Sequence, residues 1–302
     1  SDIEVARRAV RLFFTVARHQ GELVASQAQV QRATSARALA QARRAANLGS
    51  DDAVLLQQIA MQQAQAQAAQ TMARLAQARA DLTVLTALPI DTVDVDAELE
   101  TRACGRVPTL GRLLEEAATR RLDVAAQRAY NEAADTQVQA AWANMLPLLS
   151  LFASGGTTGW QFEQPLYELG AKLRWSIFDY PLTVSGAQLA QAQAAQLQVQ
   201  GEVLRRTVTQ GVTADHARLQ HLCAASQAAA AAATDAARHY LAVQAGYEAG
   251  VGDIRPNDVL LASAQQSEAQ RSHVHLSVDA IEAYMSLRAT SGYAPLSVEA
   301  IP

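Results

Sequence analysis

Lysine is nearly missing from this chain: of 25 basic residues, only Lys172 is not an arginine. Such a skew reflects the base composition of a gene rather than a function. Against 29 acidic residues and a net charge of -4, it also leaves no clustered basic surface for a nucleic acid. Aromatic residues are scarce at 5%, although 50% of the chain is hydrophobic. The apolar fraction is therefore mostly Ala, with some Leu and Val. That offers little bulk for a globular core and suits helices packed closely along their lengths. There are two cysteines, Cys104 and Cys223, with no CxxC or zinc-type spacing. A disulfide between them is open in an oxidising compartment, but the spacing alone favours two idle thiols. No run reaches about 18 consecutive apolar residues, which excludes an ordinary transmembrane helix. Membrane β-strands stay open, because their signal per segment is much weaker. The opening SDIEVARRAV lacks an initiator Met, a basic region and an apolar core, so the chain reads as a mature form or a piece of a longer one.

What is present is helix. Residues 3 to 47 carry a single Gly and no Pro, which predicts one helix on the order of 65 Å long. LGSDDAVLL, from Leu48 to Leu56, supplies a stop at Gly49 and N-cap candidates at Ser50 and Asp51. A return helix follows to about Ala87, closed by Leu88 and Pro89. Residues 1–88 thus form a first hairpin with its tip at 47–53. Residues 89–120 change to β-branched residues, acids and Pro, and read as an irregular connector with a short helix over Leu110 to Thr119. Residues 121–146 are helical, and 147–180 hold two strands, Leu146 to Ser154 and Ala171 to Phe178, around a Gly-rich loop with Trp160 and Tyr167. The first strand is nearly continuous apolar and could be buried on both faces. The second alternates, with Ala171, Leu173, Trp175 and Ile177 on one face and Lys172, Arg174 and Ser176 on the other.

Residues 181–302 form a second hairpin with its tip at 247–257. Its incoming helix carries Leu197, Leu204, Val208, Val212, Leu219 and Leu222 in a coiled-coil seam otherwise made of Ala. Pro256 suits the first turn of the outgoing helix, where its missing N–H costs nothing. The two tips echo one another. ANLGSDDAVLL and AGVGDIRPNDVLL each end a helix at a Gly, turn through acids and restart with Val-Leu-Leu. The glycines are 203 residues apart (252 minus 49) and the valines 205 (259 minus 54), the mark of a duplicated hairpin.

These residues resemble the TolC-like outer-membrane efflux proteins. RRLDVAAQRAYNEAADTQVQAAWANMLPLLSLFAS is similar to the family's Arg-Pro-Asp helix entry, Ala-rich helix, Pro and membrane strand, with Leu122 in place of that Pro. WSIFDYP, Trp175 to Pro181, resembles its strand end and helix entry, with Pro181 at the usual Gly. Tyr247, Gly250 and Asp253 match the Tyr-x-x-Gly-x-x-Asp helix turn, where Arg255 and Pro256 are atypical. The resemblance implies a mainly α fold of long antiparallel coiled-coil hairpins joined into an α-barrel, with a short β-hairpin contributing to an outer-membrane β-barrel. It implies a homotrimer whose barrel has twelve strands, four per protomer, whereas this chain offers two.

The resemblance also implies a function and sites. The chain would be a Gram-negative outer-membrane exit duct with a periplasmic extension, passively exporting drugs or other small toxic molecules. Its partners would be a periplasmic adaptor, an inner-membrane transporter and outer-membrane lipid, with no nucleic acid, cofactor or metal and no catalysis. Asp253 is the first candidate for an acidic ring at the periplasmic mouth, and Asp51 and Asp52 are the second. Tyr247, Gly250, Gly252 and Arg255 shape that mouth, Tyr247 by packing or hydrogen bonding between coiled coils. The plainer alternative is that the aspartates only cap helices. Leu173, Trp175 and Ile177 would face lipid, and Lys172, Arg174 and Ser176 the lumen. His273 with His275, and His216 with His221, are spaced poorly for a shared metal face. Asp215 beside His216 reads as a solvated helix surface. Competing readings are the exit of a type I protein-secretion system, a periplasmic adaptor, and a coiled-coil scaffold without channel activity.

Overall fold

A computed structural model of the chain describes residues 2–93, 97–105, 107–158, 164–175, 180–250 and 254–293. Its elements are α1 (Asp2–Ala45), α2 (Asp51–Thr86), α3 (Ala97–Gly105), α4 (Leu110–Arg120), α5 (Leu122–Ala143), β1 (Leu148–Thr158), β2 (Gln164–Arg174), α6 (Tyr180–Ala249) and α7 (Pro256–Thr290). They divide into two units. The first comprises residues 1–114 and 211–302, and the second residues 115–210.

In the first unit α1 and α2 run antiparallel, as the hairpin pattern predicts. Val16 packs with Leu75, Ala78 and Leu82 at one end, and Ala33 with Met61 and Ala64 nearer the tip. Ala87 takes a left-handed φ of 56° and closes α2 by donating its N–H to the Thr83 carbonyl, one residue before the Leu88–Pro89 stop. The return helices α2 and α7 have 36 and 35 residues, as a duplicated hairpin requires.

α7 packs on both hairpin partners. Phe14 of α1 meets Val278 and Ile281, while Tyr240 and Tyr247 of α6 meet Val259 and Ala262. Close approach to α1 needs Gly21, because a Cβ there would sit 2.5 Å from Val274 Cγ1. Arg18 pairs with Asp279 and, at 3.5 Å, with Glu282. The seam residues Val208, Val212 and Leu219 are buried, and Leu197, Leu204 and Leu222 half-buried.

Three expectations need correction here. Cys104 and Cys223 are disulfide-bonded with Cα atoms 5.4 Å apart, not idle thiols. The connector brings Cys104 to α6 through a helix, α3, that its acidic, weakly periodic sequence does not announce. The same helix places Glu100 to accept from Ser226 Oγ of α6 at 2.5 Å and Ser277 Oγ of α7 at 2.6 Å. Finally, Asp215 and His216 are not a solvated surface. Asp215 accepts from Ser286 and Thr290 of α7, at 3.1 and 3.0 Å, and His216 Nε2 lies 3.0 Å from the Pro108 carbonyl.

The second unit pairs α5 with the start of α6. Gln127 Nε2 donates to the Leu197 carbonyl at 3.0 Å, and Gly201 keeps the helices close, since a Cβ there would lie 3.3 Å from Asn131 Nδ2. Arg121 holds Asp123 through two hydrogen bonds of 3.0 and 2.6 Å at the start of α5. Arg121 donates to the carboxylate and holds its pKa below the ordinary value, against the opposing effect of burial.

Candidate functional site

Two features stand out, the paired helix tips of the first unit and the strand ribbon of the second. At the first tip, the Arg44 and Arg43 carbonyls accept from Asn47 and Leu48 at 2.9 and 2.8 Å. Asn47 takes the left-handed φ of 58°. The helix therefore stops at Asn47 and not at Gly49, because a short polar side chain tolerates that conformation. Ser50 is the N-cap of α2, its hydroxyl accepting from the Ala53 N–H at 3.2 Å. Asp51 and Asp52 occupy the first turn rather than the cap, and Asp51 is paired with Arg44.

At the second tip, Gly250 has φ 65° and donates its N–H to the Tyr247 carbonyl at 3.3 Å. This is the left-handed residue the turn needs. Arg255 is the N-cap of α7, its backbone N–H donating to Asp258 Oδ2 at 2.8 Å, and Pro256 follows in the first turn. Gly252 and Asp253 lie outside the described residues.

Both tips come to the same end of the unit and are joined there. Arg43 of α1 stacks its guanidinium over the Tyr247 ring, 4.5 Å from the centroid, and donates from Nη1 to the Tyr247 carbonyl. Gln57 of α2 donates to the Pro256 carbonyl at 3.4 Å. Tyr247 is buried, so its part in the site is contact between hairpins of one chain. Neither Arg43 nor Gln57 is singled out by the sequence, because each contact joins residues about 200 positions apart.

In the ribbon, β1 and β2 are antiparallel with Leu149 opposite Leu173, Leu151 opposite Ala171 and Ala153 opposite Leu169. Directly opposed residues share a face. One face is thus apolar, and Leu151 and Leu169 on it are 82% and 88% exposed. The other face carries Ser150, Ser154, Glu168, Lys172 and Arg174, with Phe152 lying over Gly170. The two strands span different residues from those expected, Tyr167 belonging to β2 rather than the loop. β1 is not buried on either face, and Leu148 and Phe152 lie on the same face as Ser150 and Ser154. Trp175 is exposed just beyond β2, whereas Ser176 and Ile177 lie outside the described residues.

Two of the histidines share one carboxylate. His275 Nε2 and His19 Nδ1 both meet the Glu22 carboxylate, the latter at 2.9 Å, across α7 and α1. Burial works to raise the Glu22 pKa, but the hydrogen bond from His19 and the charge of His275 prevail, so it lies below its ordinary value. Among the described residues no His, Cys, Asp or Glu cluster has metal-holding geometry, and no helix is long and apolar enough to cross a membrane.

Known proteins share this architecture. VceC, an outer membrane protein of Vibrio cholerae, has 17% identity over 96% of this chain and 70% of its own, with a TM-score of 0.72. A membrane protein of Pseudomonas aeruginosa has 19% identity over 96% and 68%, with a TM-score of 0.73. The open state of the MtrE outer membrane channel of Neisseria gonorrhoeae has 18% identity over 95% and 67%, with a TM-score of 0.67. These likenesses establish the fold, that of the TolC-like channels. No curated protein sequence gives a significant match. The family profile described as outer membrane efflux protein matches residues 113–293, more than half of the chain and including both the strand ribbon and the second hairpin. The chain therefore belongs to the outer membrane efflux protein family.

Proposed function

We propose that the chain works as part of a trimeric outer-membrane exit duct, through which an inner-membrane pump and a periplasmic adaptor expel small toxic molecules. The observation that carries this reading is the bare apolar face of the ribbon. Leu149, Leu151, Leu169 and Leu173, together with Tyr167, form a continuous stripe that water-soluble domains rarely leave uncovered. Lipid suits that stripe, and a polar lumen suits Lys172 and Arg174 on the opposite face. In this reading the helix tips form the periplasmic mouth. Arg43 and Tyr247 clasp the two hairpins of each protomer, while Asp253 is the first choice for the acidic ring and Asp51 and Asp52 the second.

The test compares neighbours on opposite faces of β1 in the full natural chain. Leu151→Arg places a charge on the lipid side, at a cost of about 2–4 kcal/mol at the bilayer midplane, and prevents recovery from the outer-membrane fraction. Ser150→Arg inserts normally and shifts the ion selectivity of channels in planar bilayers. Equal recovery of the two variants overturns the membrane reading.

A further inference from the structure

A cavity of about 240 Å³ lies between α1, α2, α6 and α7. Its room comes from small side chains, Ala33, Ala60 and Ala64 among them, where larger residues would close the helices on one another. Seven polar residues line the same space, among them Arg32, Gln57 and Tyr240.

The hydrogen bonding of Arg32 and Gln57 is incomplete. Arg32 donates from Nη2 to Ser267 Oγ at 2.9 Å, but its buried Nε has no partner. No carboxylate pairs with it among the described residues, and burial lowers its pKa. A half-buried guanidinium without a counter-charge costs stability and is retained more readily where an anion can meet it. Gln57 is 2% exposed, and its Oε1 has no hydrogen-bond partner. That oxygen accepts, so it calls for a donor. Tyr240 is 5% exposed and burial raises its pKa, which keeps the hydroxyl protonated.

The helix register sets how these groups are spaced. Ala33 packs on Ala64, so Arg32 stands level with about residue 65 of α2. Gln57 then lies about eight residues, or ~12 Å, farther toward the tip. An occupant must be elongated, with an acceptor at one end and a donor at the other.

We propose that this cavity binds a small hydroxy-carboxylate, its carboxylate on Arg32, its apolar body against the alanines and its hydroxyl donating to Gln57 Oε1. A carboxylate forms the stronger, forked hydrogen bond that guanidinium favours. An ammonium donor is disfavoured beside Arg32, so the donor end is neutral. This site is independent of the channel reading and would exist in any protein with these four helices.

The probe is 4-hydroxybenzoate, titrated by calorimetry into the detergent-solubilised full chain. Saturable binding is expected. 4-Hydroxybenzamide, which lacks the charge, and 4-methylbenzoate, which lacks the donor, should each bind at least about tenfold more weakly. Arg32→Met should remove binding while leaving the melting temperature unchanged or higher, because it deletes an uncompensated charge. Ala64→Leu, which fills the cavity and spares Arg32, should also remove binding. No saturation by 4-hydroxybenzoate up to about 10 mM overturns the site, as does equal affinity for all three compounds or full binding by Arg32→Met.

Discussion

Arg43 and Tyr247, 204 residues apart, meet twice: the guanidinium covers the phenol ring at 4.5 Å and donates to the carbonyl of the same residue. One side chain at the end of α1 thereby fixes the last turn of α6. A cation over an aromatic face contributes about 1 kcal/mol, and a hydrogen bond from a charged donor about as much or more. Arg43→Ala should loosen the second tip by about 2 kcal/mol, speeding hydrogen exchange of the Gly250 amide roughly 30-fold. Unchanged protection would mean that the contact adds nothing to tip stability.

Gly21 gives a prediction of unusual sign. Replacing a mid-helix Gly with Ala normally stabilises by about 1 kcal/mol. Here the new Cβ would stand 2.5 Å from Val274 Cγ1. Val is stiff about its first torsion, so the helices must part, and Gly21→Ala should destabilise by about 1–2 kcal/mol. Adding Val274→Ala should recover much of that loss. A double-mutant cycle in urea reads the coupling, and additive effects would refute it.

The disulfide closes a long loop, Cys104 and Cys223 being separated by 119 residues. Chain-entropy arguments put such a cross-link at about 5 kcal/mol, with native disulfides typically costing 2–5 kcal/mol to remove. Cys104→Ser with Cys223→Ser should lower the urea midpoint by a matching amount. Reductant should do the same to the natural protein and nothing to the variant. A midpoint insensitive to both would show that α3 is held by its other contacts alone.

Glu22 links acid sensitivity to the contact between α1 and α7. Its folded pKa lies below the ordinary value of 4.5. A depressed carboxylate contributes stability that is complete above its unfolded pKa and is lost as pH falls through the folded one. The natural chain should therefore exceed Glu22→Gln in stability at pH 7 and pH 5, with the gap closing only below about pH 4.5. A constant gap down to pH 3 would sever the carboxylate charge from the effect.

Much of the helical plan was legible because its ends are written locally. Ser50 before an acidic turn and Pro256 after a turn mark the two helix starts, and the Val-Leu-Leu echo reveals the repeat. Resemblance to the TolC-like proteins then pointed to the fold and family that the comparisons support. What escaped notice depends on partners distant in sequence. Cys104 finds Cys223, Glu100 finds Ser226 and Ser277, and Arg43 finds Tyr247, none of which leaves a short-range pattern. The strand limits were misjudged for a related reason, since pairing carries β2 back through Tyr167 to Gln164 where alternation is weak. Asn47 replaced Gly49 as the helix stop because two residues can adopt the same backbone conformation, and only the hydrogen bonds to Arg43 and Arg44 decide between them.

Glu100 and Cys104, one turn apart on α3, anchor α6 at Ser226 and Cys223 and reach α7 at Ser277. Mechanically they form one end of a strut. From Ser226 to Ala249 the last stretch of α6 runs roughly 35 Å, and Tyr240 and Tyr247 near its far end pack on Val259 and Ala262 of α7. The disulfide with its Glu100 hydrogen bond at one end and the Arg43–Tyr247 clasp at the other thus hold this length of helix at both ends.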